Sequence, residues 1–305
     1  MFATTLYLDI AVYLLAIFSV VYAIYTADLK RILSLFLFFV AAAALFHFEQ
    51  TSMFLLSGVI IFESAAHYYG KKGDGLFIIA GMVYFFAAVQ LAGAQLAAQA
   101  VLIGLLAGMR IGTSHSVSNK KVEINRDLAQ MGAGAIVVAC FIFFSVTAAQ
   151  IITVALVLIG YVFSSLTSSG SKLHIAKVLR RLERQDAKFG RGAIWLALGV
   201  LVSISFTSNS NYIIAMLIAI FFCDSLATII GVSFGRHKIP YNNKKSVEGF
   251  ATYFVVLAVL AYPLIGVSSL PLALIAAIAE SAPLHLDDNF DVPIVMLVVL
   301  LLLRT

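Results

Sequence analysis

Residues 224–250, DSLATIIGVSFGRHKIPYNNKKSVEGF, pass from lipid-suited to water-suited chemistry and back. Asp224 stands near the end of one apolar run. Arg236, Lys238, Lys244 and Lys245 crowd a Pro- and Asn-punctuated connection, and Ser246 and Glu248 open the next apolar run. Apolar segments on either side of a short basic connection predict two helices that leave and re-enter a bilayer, because a backbone in lipid must satisfy its own hydrogen bonds. The rest of the 305-residue chain agrees, with 62% hydrophobic and 11% charged residues and a mean hydropathy of +1.03. So few polar side chains cannot cover a soluble domain. The apolar runs lack period-2 alternation, which excludes barrel strands and predicts an all-α, polytopic transmembrane helical bundle. The opening MFATTLYLDI carries no basic n-region and no small-residue cleavage site, so the first run is expected to be a retained span.

Hydropathy and chain breakers predict twelve spans, at 5–26, 32–48, 52–70, 76–92, 94–111, 128–148, 150–166, 192–207, 212–230, 250–266, 268–281 and 291–304. The split within 76–111 rests on LAGAQ near Gly93, and the penultimate span is short enough for a re-entrant segment. With the N-terminus outside, nineteen of the twenty Lys and Arg residues fall on one side, and Arg304 alone does not. The positive-inside rule makes that side cytoplasmic. Cys140 and Cys223 lie within predicted spans and are expected to be free buried thiols. KLHIAKVLRRLERQ (172–185) places apolar residues at helical spacing opposite lysines and arginines, the pattern of a basic amphipathic helix on the inner leaflet.

Ionisable groups inside spans are costly, which singles out Asp9, Glu63, Asp224 and Glu280, with His47 and His67 near span ends. Asp9 is near enough to the outer end of its helix to reach headgroups, and both histidines suit interfacial positions. Asp224 is distinguished by the small residues beyond it: Ala227, Gly231 and Gly235 at i+3, i+7 and i+11 form a strip on its helix face. Such a strip permits close approach of another helix, or of an anion to bare backbone N–H groups. Arg236, Lys238, Lys244 and Lys245 precede a helix N-terminus opened by Ser246 and Glu248, an arrangement suited to phosphate. A carboxylate just inside the membrane edge and facing those lysines suits a divalent metal on the same phosphates. Acid and lysines would then grip one nucleotide from two directions.

Asp224, Ala227, Gly231, Phe234, Gly235, Lys238, Pro240, Lys245, Ser246, Glu248 and Gly249 together resemble the signature of the CTP-dependent isoprenoid-alcohol kinases, the dolichol, phytol and farnesol kinase group. A related signature occurs in phosphatidate cytidylyltransferases. The closing ESAPLHLDDNFDVPI (280–294) is similar to the kinases' terminal element and lacks the Lys-Asp and His-Gly-Gly motifs of the cytidylyltransferases. RRLERQDAKFGRGAIWLALG (180–199) is also similar to the segment that precedes the kinases' catalytic spans, so the resemblance covers roughly 170–305. It implies a catalytic transmembrane domain at 166–305 and leaves 1–165, about seven spans, without an assigned role.

What the resemblance implies is a kinase that moves the γ-phosphoryl group of CTP to a membrane polyprenol at the cytoplasmic face, with Mg²⁺ as cofactor and no nucleic-acid partner. It assigns Asp224 to Mg²⁺ and Lys238 and Lys245 to phosphates. Glu248 goes to metal or to positioning Lys245, and Gly231, Gly235, Arg236, Lys244 and Ser246 to the nucleotide site. Glu280, Asp287 and Asp288 form a second acidic group, suited to a further metal contact or to taking the proton from the attacking hydroxyl, and Asn289 beside them goes to the nucleotide site. Two alternatives are a CDP-lipid synthase and a transporter using Glu63 and Asp224 as ion-coupling carboxylates. ESAAHYYG (63–70) loosely echoes DSLATIIG (224–231), as an internal duplication would produce.

Overall fold

The computed structural model describes residues 120–168, 191–283 and 288–303, together with 93–95, 98–99 and 101–102. Several expected features lie wholly or mainly outside the described residues: the first five spans, the 172–185 helix, the 63–70 segment, Asp9, Glu63, His47, His67, Asp287, the 180–190 part of the second resemblance segment, and Arg304. The chain divides into two compact units, Met1–Ile111 and Gly112–Thr305. The second unit starts upstream of the 165/166 division expected from sequence, and it is the one whose architecture can be followed.

Among its described residues the helices are α1 (Lys120–Phe143), α2 (Val146–Ser168), α3 (Arg191–Ser205) and α4 (Ser210–Ile218). A π-helical turn (Ala219–Cys223) joins α4 to α5 (Asp224–Phe234). A hairpin of β1 (Lys238–Ile239) and β2 (Asn242–Ser246) leads to α6 (Val247–Ile265), a 3₁₀ turn (Gly266–Ser268), α7 (Ser269–Ser281) and α8 (Asp288–Leu302). The described residues of the unit are thus mostly helical. The antiparallel hairpin corrects the all-α expectation: two and five residues of mostly charged or amide side chains carry no strand signal.

Among the described residues, three stretches are long and apolar enough to cross a membrane: Glu123–Phe143, Ser210–Phe234 and Val247–Ser281. Among the described residues, Ser210–Phe234 is the core of the unit, with Ile213, Met216, Leu217, Ile220 and Cys223 fully or nearly fully buried. Helices α1, α3, α6 and α8 pack around it. Val247–Ser281 folds back on itself: α6 and α7 pack together, and Ser281 at the end of α7 returns to Tyr241 and Asn242 beside the start of α6. Gly266, at φ +62°, makes the reversal in a conformation that L side chains rarely adopt.

Along α6 the buried Gly249, Tyr253, Leu257 and Ala261 recur every four residues, while Val255, Val259 and Tyr262 are exposed. A helix apolar on its outward face as well needs an apolar surround, which water does not supply. Where helices meet in lipid, small residues let backbones approach. Ala273, Ala276 and Ala277 on α7 do this and are fully buried. Trp195 on α3 packs at 5.7 Å against Phe290 on α8. Gly199 leaves the space in which the Asn289 carbonyl lies. Cys140 and Cys223 are buried and free, as the sequence suggested.

One boundary differs from expectation. The chain breaks at Phe144–Ser145, not at 149–151, and residues 149–151 are helical. The apolar run continues through the break, so hydropathy cannot see it. The local signal is Ser145, whose Oγ accepts from the Ala148 N–H at 3.4 Å as a helix cap. Helix α1 also begins at Lys120, so charged residues expected in a connection form its first turns.

Candidate active site

Four side chains from four elements meet at one end of the bundle. Asp224 opens α5, Lys245 lies on β2, Glu280 is one residue from the end of α7, and Asp288 is the first residue of α8. A carboxylate oxygen of each of Asp224, Glu280 and Asp288 lies within 4.8 Å of the others. The Lys245 ammonium donates to Glu280 and, at 2.9 Å, to Asp288. Glu280 is only 4% exposed. An isolated carboxylate could not be held there, and the lysine supplies its counter-charge.

The hairpin brings Lys245 to this place. Tyr241 shares a 2.7 Å hydrogen bond with Ser281 Oγ, and Asn242 donates to the Ser281 carbonyl at 2.9 Å, tying the hairpin to the end of α7. Successive side chains of a strand point to opposite faces. Lys245 therefore turns inward while Lys244 is exposed. The two lysines, adjacent in sequence and assigned together to the nucleotide, do not share a face.

Burial works against the Lys245 charge, but the carboxylates of Asp288, Glu280 and Asp224 more than offset it and hold its pKa well above the usual lysine range. Burial likewise pushes Asp288 up. The Lys245 ammonium and its hydrogen bond outweigh this, and Asp288 is held below the ordinary carboxylate value. The Asn289 N–H also donates to Asp288, at 3.1 Å.

The three carboxyl groups bring a set of hard oxygen donors together beside one ammonium. That set suits Mg²⁺, which takes carboxylate oxygens and keeps several of its waters. A small cavity of about 10 Å³, room for about one water, adjoins the cluster and is lined by Asp224, Tyr253, Glu280, Asp288, Asn289 and neighbouring apolar residues.

Several expected site residues are placed elsewhere. Glu248 is not in the carboxylate group. Its side chain accepts from the N–H groups of Arg236 at 3.0 Å and His237 at 3.2 Å, and pairs with His237 Nδ1 at 2.8 Å. It fastens the start of the hairpin to the first turn of α6. Gly231, Gly235 and Ser246, expected at the nucleotide, lie where α5 and α6 pack. A Cβ on Gly235 would stand 2.6 Å from Ser246 Oγ, one on Gly231 3.1 Å from the same atom, and one on Gly249 3.0 Å from the Ala227 carbonyl. The strip serves the close approach of α5 and α6. Ser246 Oγ is buried and caps α6 by accepting from the Gly249 N–H at 3.1 Å. Arg236, Lys238 and Lys244 are exposed, with no ion-pair partner among the described residues.

Sequence reasoning missed the part of the site that comes from α1 and the middle of α6. Gln130 Nε2 donates to the Ile220 carbonyl at 3.0 Å and reaches Asp224 Oδ2 at 3.5 Å. Arg126 donates to the buried Asp127 at 2.9 Å one turn before it. Tyr253 on α6 is 1% exposed and lines the cavity. A polar amide within an apolar helix was the one local signal for Gln130. Tyr253 gave none, because a tyrosine among apolar residues reads as core.

The chain is 34% identical over 124 residues to an uncharacterized protein of Methanocaldococcus jannaschii. The match covers 40% of this chain and 64% of that protein. No known family model matches the chain, and no solved structure matches it.

Proposed function

We propose that the protein is a CTP-dependent kinase that phosphorylates a membrane isoprenoid alcohol, dolichol- or polyprenol-like, to its monophosphate. The observation that carries this reading is the meeting of Asp224, Glu280, Asp288 and Lys245 at one end of apolar helices. A lipid alcohol keeps its tail in the bilayer and presents its hydroxyl at the interface, so its kinase needs polar machinery at a helix end. The resemblance of residues 224–249 to isoprenoid-alcohol kinases supplies the choice of CTP and of the alcohol.

Asp224, Glu280 and Asp288 would hold Mg²⁺, which when bound screens phosphate charge and orients the γ-phosphoryl group. The residues' own work is positioning, charge balance and proton transfer. Lys245 exchanges its carboxylate contacts for phosphate oxygens when nucleotide arrives. Lys238, exposed on the hairpin, meets the outer part of the triphosphate. The alcohol oxygen bonds to the γ-phosphorus, the bond to the β-bridging oxygen breaks, and CDP leaves. The alcohol proton passes to Asp288 or Glu280, whichever Lys245 has released. The wider setting belongs to the same proposal: a multi-pass protein of twelve spans, N-terminus outside, with this site on the cytoplasmic side, where the basic residues segregate.

Membranes containing the protein, given CTP labelled at the α- or the γ-phosphate and a panel of dolichol, phytol, farnesol and geranylgeraniol, test the reading by thin-layer analysis. Transfer of the γ label alone to an alcohol is expected. Transfer of the α label would indicate a CDP-lipid synthase, and no transfer with no CTP affinity would favour a transporter.

A further inference from the structure

Helix α1 lies outside the segment that carries the kinase resemblance, yet its Gln130 reaches the candidate site. The contact is made at the π-helical turn Ala219–Cys223, where the Asp224 N–H donates to the Ala219 carbonyl five residues back. Such turns interrupt a helix at a local cost and occur often at functional sites. Here the turn comes immediately before the carboxylate. Gln130 sits on α1, within a stretch long and apolar enough to cross a membrane. An amide there must find partners, and its Nε2 carries two N–H donors. One goes to the Ile220 carbonyl within the turn at 3.0 Å and the other toward Asp224 Oδ2 at 3.5 Å. The reverse orientation would set the amide oxygen against two acceptors, so only this one satisfies the site. One helical turn along, Gly134 has no side chain where a Cβ would overlap Phe221, also in the π-helical turn. That gap lets α1 approach closely enough for Gln130 to reach.

We propose that Gln130 is a positioning residue: by holding the Ile220 carbonyl and Asp224 Oδ2 together, it fixes the aim of the Asp224 carboxylate toward Glu280 and Asp288. The inference rests on Asp224 being the functional carboxylate of the proposed kinase, but its geometry can be tested without turnover. Gln150 provides the comparison. It is a buried glutamine, where Gln130 is half-buried; it donates to the Ile204 carbonyl at 2.8 Å, and among the described residues no hydrogen bond links it to the carboxylates.

The test uses the full chain in lipid nanodiscs, with dicyclohexylcarbodiimide as a probe of membrane carboxyls and Asp224 labelling followed by peptide mass spectrometry. Gln130→Met keeps the volume and removes both donors. It should change the Asp224 labelling rate by at least about threefold, whereas Gln150→Met leaves that rate unchanged although both variants lower Tm. In the kinase assay, Gln130→Met should lower kcat by roughly 10–100-fold, the usual range for a residue supporting a ligand or catalytic group, with KM for CTP within about twofold. Gln130→Asn, with its donors drawn back by one methylene, should fall between and is read instead if the methionine variant does not insert. If Gln130 substitution leaves Asp224 labelling as in the wild type, the proposal is overturned. If labelling responds while the wild type transfers no phosphate, the kinase reading fails and the positioning role stands.

Discussion

The two ends of the Gly112–Thr305 unit are built from the same helices and differ in chemistry. At one end α5 is followed by the hairpin, α6 and α8 begin, α7 finishes, and Asp224, Lys245, Glu280 and Asp288 converge. At the other, α4 begins and α6 and α8 finish, around a 320 Å³ recess lined by Asn209, Asn211, Tyr212, Ser268 and leucine and isoleucine side chains. Helix α6 alone separates the two by 19 residues, or about 28 Å at the helical rise. Among the described residues, the polar groups that line this recess are uncharged, and Asn209 caps α4 by accepting from Asn211 and Tyr212. Turning a chain needs caps and a positive-φ glycine. Ionised groups in a helix bundle of this hydropathy need a further reason.

This contrast can be broken by substitutions at either end. The largest effect belongs to Asp224→Asn, which keeps the shape and removes the charge: phosphoryl transfer should fall to background while the protein inserts and melts normally. Near-normal transfer would remove the distinction between the ends. Lys245→Ala comes next. It leaves Glu280 and Asp288 facing each other without a cation and should cost both activity and stability. Removing one partner of a fully buried pair costs ~3–5 kcal/mol. Because the Lys245 side chain keeps 29% exposure, about 2 kcal/mol is the expected loss, read as a lowered Tm in detergent. Combining it with Glu280→Gln should recover part of that stability, since one uncompensated charge is then gone.

Smaller effects sharpen the comparison. Asn209→Ala at the far end should lower stability by about 1 kcal/mol, as loss of a helix cap does, and leave kcat and KM unchanged. Lys244→Ala, on the outward face of β2, should alter turnover by less than about threefold, because an exposed charge contributes under ~1 kcal/mol. Equal losses from Lys244 and Lys245 substitutions would show that strand alternation does not separate their roles.

The residues that converge were visible in the sequence for a physical reason: a carboxylate or lysine beside apolar runs is expensive enough to stand out. Asp224 and Glu280 could be named on that ground, Lys245 as one of the lysines before the helix opened by Ser246, and Asp288 through the resemblance of 280–294. Their mutual approach could not, because it depends on α7 folding back along α6 and on the hairpin's hydrogen bonds to Ser281. The glycine strip allowed two meanings, and only the packed helices show Ser246 and Gly249 filling the space beside it. Glu248 was legible as a charged helix-opening residue, but its partners are backbone N–H groups eleven and twelve residues earlier, which no local pattern discloses. Gln130 is neutral and carries no motif, so its role emerges only beside the π-helical turn. For the fold, hydropathy located apolar helices well but passed over the Phe144–Ser145 break, where one capping hydroxyl is the whole signal.

Manganese binding measured by electron paramagnetic resonance tests the cluster most directly, with wild type and Asp224→Asn compared in nanodiscs. A single tight Mn²⁺ per wild-type chain, displaced by Mg²⁺ and lost in the variant, is the predicted result. A wild-type protein that binds no Mn²⁺ in the presence of CTP, or a variant that binds it equally well, would contradict a metal-assisted phosphoryl-transfer site at Asp224.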